Sequence, residues 1–111
     1  MLEIKPIQTK EEQKEICRFC GIEFKPDCLA YSAKENGKLL GVSQFRILGE
    51  YAVIYDLSNA VGIYDLDALV ITEKAVLNFI DLCGVKEAVL KSGKRINLEE
   101  YFNSPCQKNK R

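Results

Sequence analysis

The sequence predicts an α+β fold: a mixed, mainly antiparallel sheet of about five strands, with a long helix between strands four and five. Three observations point there. Two extended runs meet at Asn36-Gly37, the strongest short hairpin signal a sequence carries. A third run, YAVIYDLS, follows at once after Gly49-Glu50. The hydrophobic period then changes from two to 3.6 between Asp65 and Cys83, before VKEAVLKS reads as a strand again.

The first strand is short: Leu2, Ile4 and Ile7 surround Lys5 and Pro6, and the proline argues for a sheet edge. Thr9 followed by Glu12 has capping-box spacing, and Ile16, Phe19 and Cys20 recur at three and four residues before Gly21, so residues 10 to 20 read as a helix. After the link GIEFKPD, Leu29, Tyr31 and Ala33 alternate into the Asn36-Gly37 turn. Strand three, LLGVSQFRIL, is expected to place Leu39, Gly41, Ser43, Phe45 and Ile47 on one face and Leu40, Val42, Gln44, Arg46 and Leu48 on the other. Residues 28 to 58 therefore form an antiparallel meander. In the long helix Leu69, Val76, Ile80 and Cys83 make the buried stripe, flanked by Leu66, Val70 and Leu77, with Gly84 as the left-handed cap. Asn97 and Glu100 repeat the capping-box spacing and open a short helix through Tyr101 and Phe102, which Pro105 stops.

With 111 residues, 47% of them hydrophobic, the chain fills one core. Residues 1–103 read as a single domain and 104–111 as a disordered tail. Sixteen basic and sixteen acidic residues cancel, so no global field recruits nucleic acid or an anionic membrane. No apolar run approaches the roughly 18 residues of a membrane span, and the start MLEIKPIQTKEEQ has no signal-peptide core. A cytoplasmic location is expected. Cys17, Cys20, Cys28, Cys83 and Cys106 are odd in number and irregular in spacing, which implies reduced thiols. Cys17 and Cys20 lie in a last helical turn, where the dipole disfavours a redox thiolate, so these two, Cys28 and Cys83 read as apolar packing. Cys106 is the expected accessible thiol. Histidine is absent, which removes Ser-His and Cys-His nucleophile pairs and every histidine metal site. No metal is expected.

The order strand, helix, three antiparallel strands, long helix, strand, short helix is similar to that of the GNAT acyltransferases over roughly residues 2 to 102. KENGKLLGVSQFRI resembles that family's strand two to strand three hairpin, and ALVITEKAVLNFIDLCGVKEAVLK its long helix and following strand. The family's last two strands are expected to be missing, which leaves a homodimer through the open sheet edge as one way to complete the sheet. The resemblance implies an acyl-CoA-dependent N-acyltransferase-like domain, with acetyl-CoA in the wedge between strands four and five and a small-molecule amine or a protein as acceptor. The cofactor-binding residues it implies are Leu57, Ser58, Asn59, Gly62, Ile63 and Tyr64.

The family binds pyrophosphate with a (Q/R)-x-x-G-x-(G/A) loop at the start of the long helix, where unpaired N–H groups and the helix dipole favour anions. Here Gly62 stands where Arg or Gln belongs, and Asp65 and Asp67 where the two glycines belong. Two carboxylates stabilise a helix start, each by roughly 0.3–1 kcal/mol, and repel a pyrophosphate. Acyl-CoA binding is therefore expected to be weak, and the alternative is a non-catalytic module that binds a small ligand or a protein in the same wedge. For catalysis the resemblance implies a base on strand four and a tyrosine acid after strand five, which selects Asp56 and Tyr101. The other reading of Asp56 is structural, as a carboxylate in an apolar strand paired with Arg46, and the other reading of Tyr101 is core packing beside Phe102.

Overall fold

The computed structural model describes residues 1–103; the expected tail, with Cys106, lies outside the described residues. The elements are β1 (Leu2–Pro6), α1 (Lys10–Phe19), β2 (Leu29–Glu35), β3 (Lys38–Ile47), β4 (Tyr51–Asn59), α2 (Leu66–Leu82), β5 (Glu87–Val89), β6 (Arg95–Asn97) and α3 (Leu98–Asn103). The six strands lie in sequence order, all neighbours antiparallel except β4 and β5, which run parallel. The expected strand count of about five becomes six because the loop SGKRIN contains a strand. Leu90 donates its N–H to Lys94 O at 2.8 Å, closing a tight hairpin whose return strand carries one apolar residue, Ile96.

Local chemistry sets the element ends. Thr9 accepts the Glu12 N–H and Asp65 accepts the Ala68 N–H, capping α1 and α2, and Asn97 accepts the Glu100 N–H at the start of α3. Asn36 and Gly37 both have positive φ, 53° and 82°, as the β2–β3 turn requires. Pro6 sits on the edge strand β1, where no outer partner needs its missing N–H.

The sheet is covered on both faces. Against one face α1 packs Ile16 and Cys20 on Val42 and Ala60. Against the other, α2 brings Val76, Leu77 and Ile80 onto Phe45, Ala52, Ile54 and Ala88, joined by Leu98 and Phe102. Gly41 is the close approach: a Cβ there would lie 2.8 Å from Ser58 O and 3.3 Å from Leu69 Cδ2. Cys83 departs from the expected buried stripe. It forms the C-cap of α2 and is exposed.

Two bulges decide which side chains reach which face. Ala33 pairs with Gly41 and Lys34 with Leu39, so Leu40 is an extra residue on β3. The expected alternation therefore breaks there: Leu40 joins Ala68 and Ala33 on the α2 side, and Leu39 joins Val42 on the α1 side. Gln44 pairs with Asp56 and Phe45 with Ile54, which makes Tyr55 an extra residue on β4. The bulge lets Ile54 enter the α2 core while Asp56, two residues on, shares the α1 side with Gln44.

A polar seat on β4 beside a parted sheet

Asp56 is buried, 8% exposed, and follows a run of apolar and aromatic residues from Tyr51 to Tyr55. Its Oδ2 accepts the Lys25 ammonium and the Gln44 Nε2, each at 2.8 Å. The partner is Lys25, reaching in from the loop between α1 and β2, and not Arg46 as expected; Arg46 stands opposite Val53. The carboxylate beside the Lys25 ammonium raises its pKa, so Lys25 is held charged.

Gln44 organises this corner and is itself fully buried. Its Oε1 accepts the Lys25 N–H and the Gln13 Nε2, both at 2.9 Å, and its Nε2 also reaches Glu23 O at 2.8 Å. Gln13 donates to Lys25 O, and Lys10 donates to Gln13 Oε1 and to Cys28 O. The loop between α1 and β2 is thus fastened by its backbone to side chains of α1 and β3. Beside it lies a pocket of about 290 Å³ lined by Glu23, Phe24, Lys25, Pro26, Asp27, Cys28, Arg46 and Tyr55.

Sequence reading missed Lys25, Gln13 and Gln44 as site residues. The available signals were Gln13 on the stripe of Ile16, Cys17 and Cys20, and Gln44 inside the hydrophobic run of β3. Cys17 and Cys20 have their pKa pushed up to about 11, chiefly by burial, and Cys17 also by the Asp56 charge, so neither is a thiolate at neutral pH.

Beyond this corner the sheet parts. β4 pairs with β5 only through Tyr51, Ala52 and Val53, opposite Glu87, Ala88 and Val89. β5 then turns into its hairpin, while β4 continues from Ile54 to Asn59 with no strand on that side among the described residues. Leu57, Ser58 and Asn59 lie on this free stretch, each half-buried.

Asn59 does structural work at its end. Its Nδ2 donates to Leu40 O and Asp65 O, and its Oδ1 accepts the Asp65 N–H at 3.2 Å. Gly62 turns the following loop with φ +84°, Ile63 packs into the clusters on α1 and Ala68, and Tyr64 is 95% exposed. At the start of α2, where an anion would need donors, Asp65 Oδ1 already accepts the Ala68 N–H at 3.0 Å.

Tyr101 is far from Asp56 in role and surroundings. It is half-buried in α3, packs on the α2 core and meets the Phe102 ring edge-on at 5.0 Å. Burial, with the Glu73 charge second, raises its pKa and keeps its proton on. Glu73 on α2 is also raised by burial. No group of three or more Cys, Asp or Glu among the described residues is placed to hold a metal ion, and none of their helices is long and apolar enough to cross a membrane.

No family model matches the sequence, and no curated protein matches it. Solved structures do match the fold. An IAA acetyltransferase from Bacillus cereus superposes with a TM-score of 0.67 at 15% identity, over 81% of this chain and 65% of that one. The PaiA N-acetyltransferase of Thermoplasma acidophilum, in complex with coenzyme A, gives 0.63 at 14% identity over 81% and 78%. A probable acetyltransferase from meticillin-resistant Staphylococcus aureus gives 0.55 at 14% identity over 73% and 70%. The chain thus spans just under two thirds of the length of the Bacillus protein. The strand order and the crossover through α2 give this chain the fold of these acetyltransferase structures.

Proposed function

We propose that this chain is a GNAT-type N-acyltransferase-like domain whose acceptor side is well built and whose donor side is reduced, binding acyl-CoA weakly. One observation carries the reading: β4 leaves β5 after Val53, and Asp56 lies on the stretch of β4 that is free. An unpaired strand edge offers N–H and C=O groups to an extended amide chain, and the pantetheine arm of acyl-CoA is such a chain.

The residues fit that arm and do not fit the pyrophosphate. The Ala68 N–H is taken by Asp65, and Asp67 adds a second negative charge in the same turn. Bound acyl-CoA would supply an activated thioester. The part of the chain's own residues is to receive an ammonium at Asp56 and take up its proton.

Thermal melting with 1 mM acetyl-CoA tests this. A dissociation constant of about 0.1 mM would add about 1.4 kcal/mol, a rise of several degrees for a domain of this size. Pantetheine should bind within a few fold of coenzyme A, since the phosphates add little. Flat melts with both compounds would refute the reading.

A second reading, a non-catalytic module that takes a small ligand or a protein in the same wedge, is favoured by the Asp65 cap and the Lys25–Asp56 ion pair. Replacing Asp65 and Asp67 together by Gly separates the two. Tighter acetyl-CoA binding supports the first, and unchanged binding the second.

A further inference from the structure

We infer that Asp56, Gln44 and the adjoining pocket form a preorganised seat for a primary ammonium group, that Lys25 is its resident plug, and that a ligand enters by displacing the Lys25 side chain. The seat and its occupant are held very differently. Asp56 and Gln44 stand on neighbouring strands, paired in register and bonded to each other. Lys25 reaches them through a four-carbon stem from a loop, and its side chain is 30% exposed against 11% for Asp56.

The loop does not depend on the Lys25 ammonium to stay in place. The Lys25 N–H is bonded to Gln44 and its carbonyl to Gln13. Glu23 O accepts from Gln44 and Cys28 O from Lys10. Withdrawing the ammonium therefore leaves the walls standing and exposes a carboxylate that has one fixed donor, Gln44, and one vacated position.

The charges around the pocket choose the ligand. Glu23 and Asp27 line it against Arg46, Lys10 is turned to Gln13 and Cys28, and the Asp56 carboxylate lies behind the Lys25 ammonium that would swing out. The vacated position is a hydrogen-bond position as well as a charge position, 2.8 Å from Oδ2. A primary ammonium satisfies both requirements, and a quaternary ammonium only the first. A pocket of about 290 Å³ takes a short alkyl chain on that ammonium. Lys25 then sets specificity, because a ligand must outcompete an intramolecular ammonium present at high effective concentration. Identifying this ligand with the acceptor amine rests on the function proposed above, but the seat and its plug do not.

The test uses n-butylammonium, which reproduces the Lys25 stem and head, titrated by NMR at constant ionic strength without acyl-CoA. Lys25→Ala should bind it saturably and at least tenfold more tightly than the wild type, with shifts at Gln44, Tyr55 and Asp56. Tetramethylammonium should produce no saturable shifts, and Asp56→Asn added to Lys25→Ala should abolish binding. Lys25→Met, which keeps most of the stem, guards against loss of fold and should bind methylammonium more tightly than the wild type does. Equal affinity in wild type and variants would overturn the plug, and binding that survives Asp56→Asn would overturn the seat. Because no acyl-CoA is present, a failure here is distinct from a flat acetyl-CoA melt.

Discussion

Replacing Gln44 with Leu, close to it in volume, isolates the value of the buried polar corner. Gln44 is fully buried and makes four hydrogen bonds, to the Gln13 amide, the Lys25 N–H, Glu23 O and Asp56 Oδ2. Not all four partners are orphaned by the change. Gln13 Nε2 keeps Lys25 O at 3.2 Å, and Asp56 Oδ2 keeps the Lys25 ammonium. Two backbone groups, the Lys25 N–H and Glu23 O, lose the partner described for them. At about 1–3 kcal/mol per unsatisfied buried group, the expected loss is about 2–6 kcal/mol, in the lower half where water reaches the loop.

Against a total of about 5–15 kcal/mol for a domain of this size, that is a large fraction. Urea unfolding followed by circular dichroism reads it as a lower midpoint at unchanged slope. Gln13→Leu is the internal comparison. It leaves only Lys25 O without a described partner, because Gln44 Oε1 keeps the Lys25 N–H and Lys10 keeps Cys28 O, so it should cost about 1–2 kcal/mol. Hydrogen exchange at the Lys25 amide should speed up in Gln44→Leu and stay near wild type in Gln13→Leu. A loss below 1 kcal/mol for Gln44→Leu, or a larger loss for Gln13→Leu, would refute the account of the corner.

Gly41→Ala should cost about 1–3 kcal/mol in the same assay, because the new methyl meets Ser58 O at 2.8 Å, backbone that cannot rotate away. Thiol labelling under native conditions should modify Cys83 quickly and leave Cys17, Cys20 and Cys28 protected until the protein unfolds, read by peptide mapping. The Lys25–Asp56 pair predicts a pH dependence. The folded pKa of Lys25 is raised above its unfolded value of about 10.5. Its contribution to stability is therefore complete below that value and is lost as pH rises through the folded pKa. Wild type should lose stability above about pH 10.5 more steeply than Lys25→Met, in melts followed across that range.

The parts of this fold that were legible in the sequence are those written in short-range chemistry. Asn36-Gly37, the Thr9 and Asn97 caps and the Asp65 cap each depend on residues within a few positions, and each appears where the pattern put it. What depends on pairing between distant segments was not legible. The bulges at Leu40 and Tyr55 are differences between two strand registers, and neither strand records them alone. The misassigned partner of Asp56 has a similar cause, since Lys25 is brought to it from a loop fastened to Gln13 and Gln44, which are distant in sequence. β6 was missed because a three-residue strand with one apolar side chain is held by its hairpin and not by burial. Asp56 was noticed as an unusual carboxylate, but its meaning lay in Gln13, Gln44 and Lys25, which are unremarkable residues until the fold collects them.

The extra residue on β4 also bears on which sequence changes the protein can tolerate. Tyr55 is partly exposed, and its side chain is a wall of the pocket rather than part of the core, so many substitutions there should leave the fold intact. Deleting it would also spare the alternation. The acid now at position 56 would follow Ile54 directly, so Ile54 would still face the α2 side opposite Phe45 and the acid the α1 side opposite Gln44. What the deletion would take away is the local twist of the bulged strand and one wall of the pocket. Position 55 therefore shapes the pocket, while the regular strand alone would keep the two faces apart.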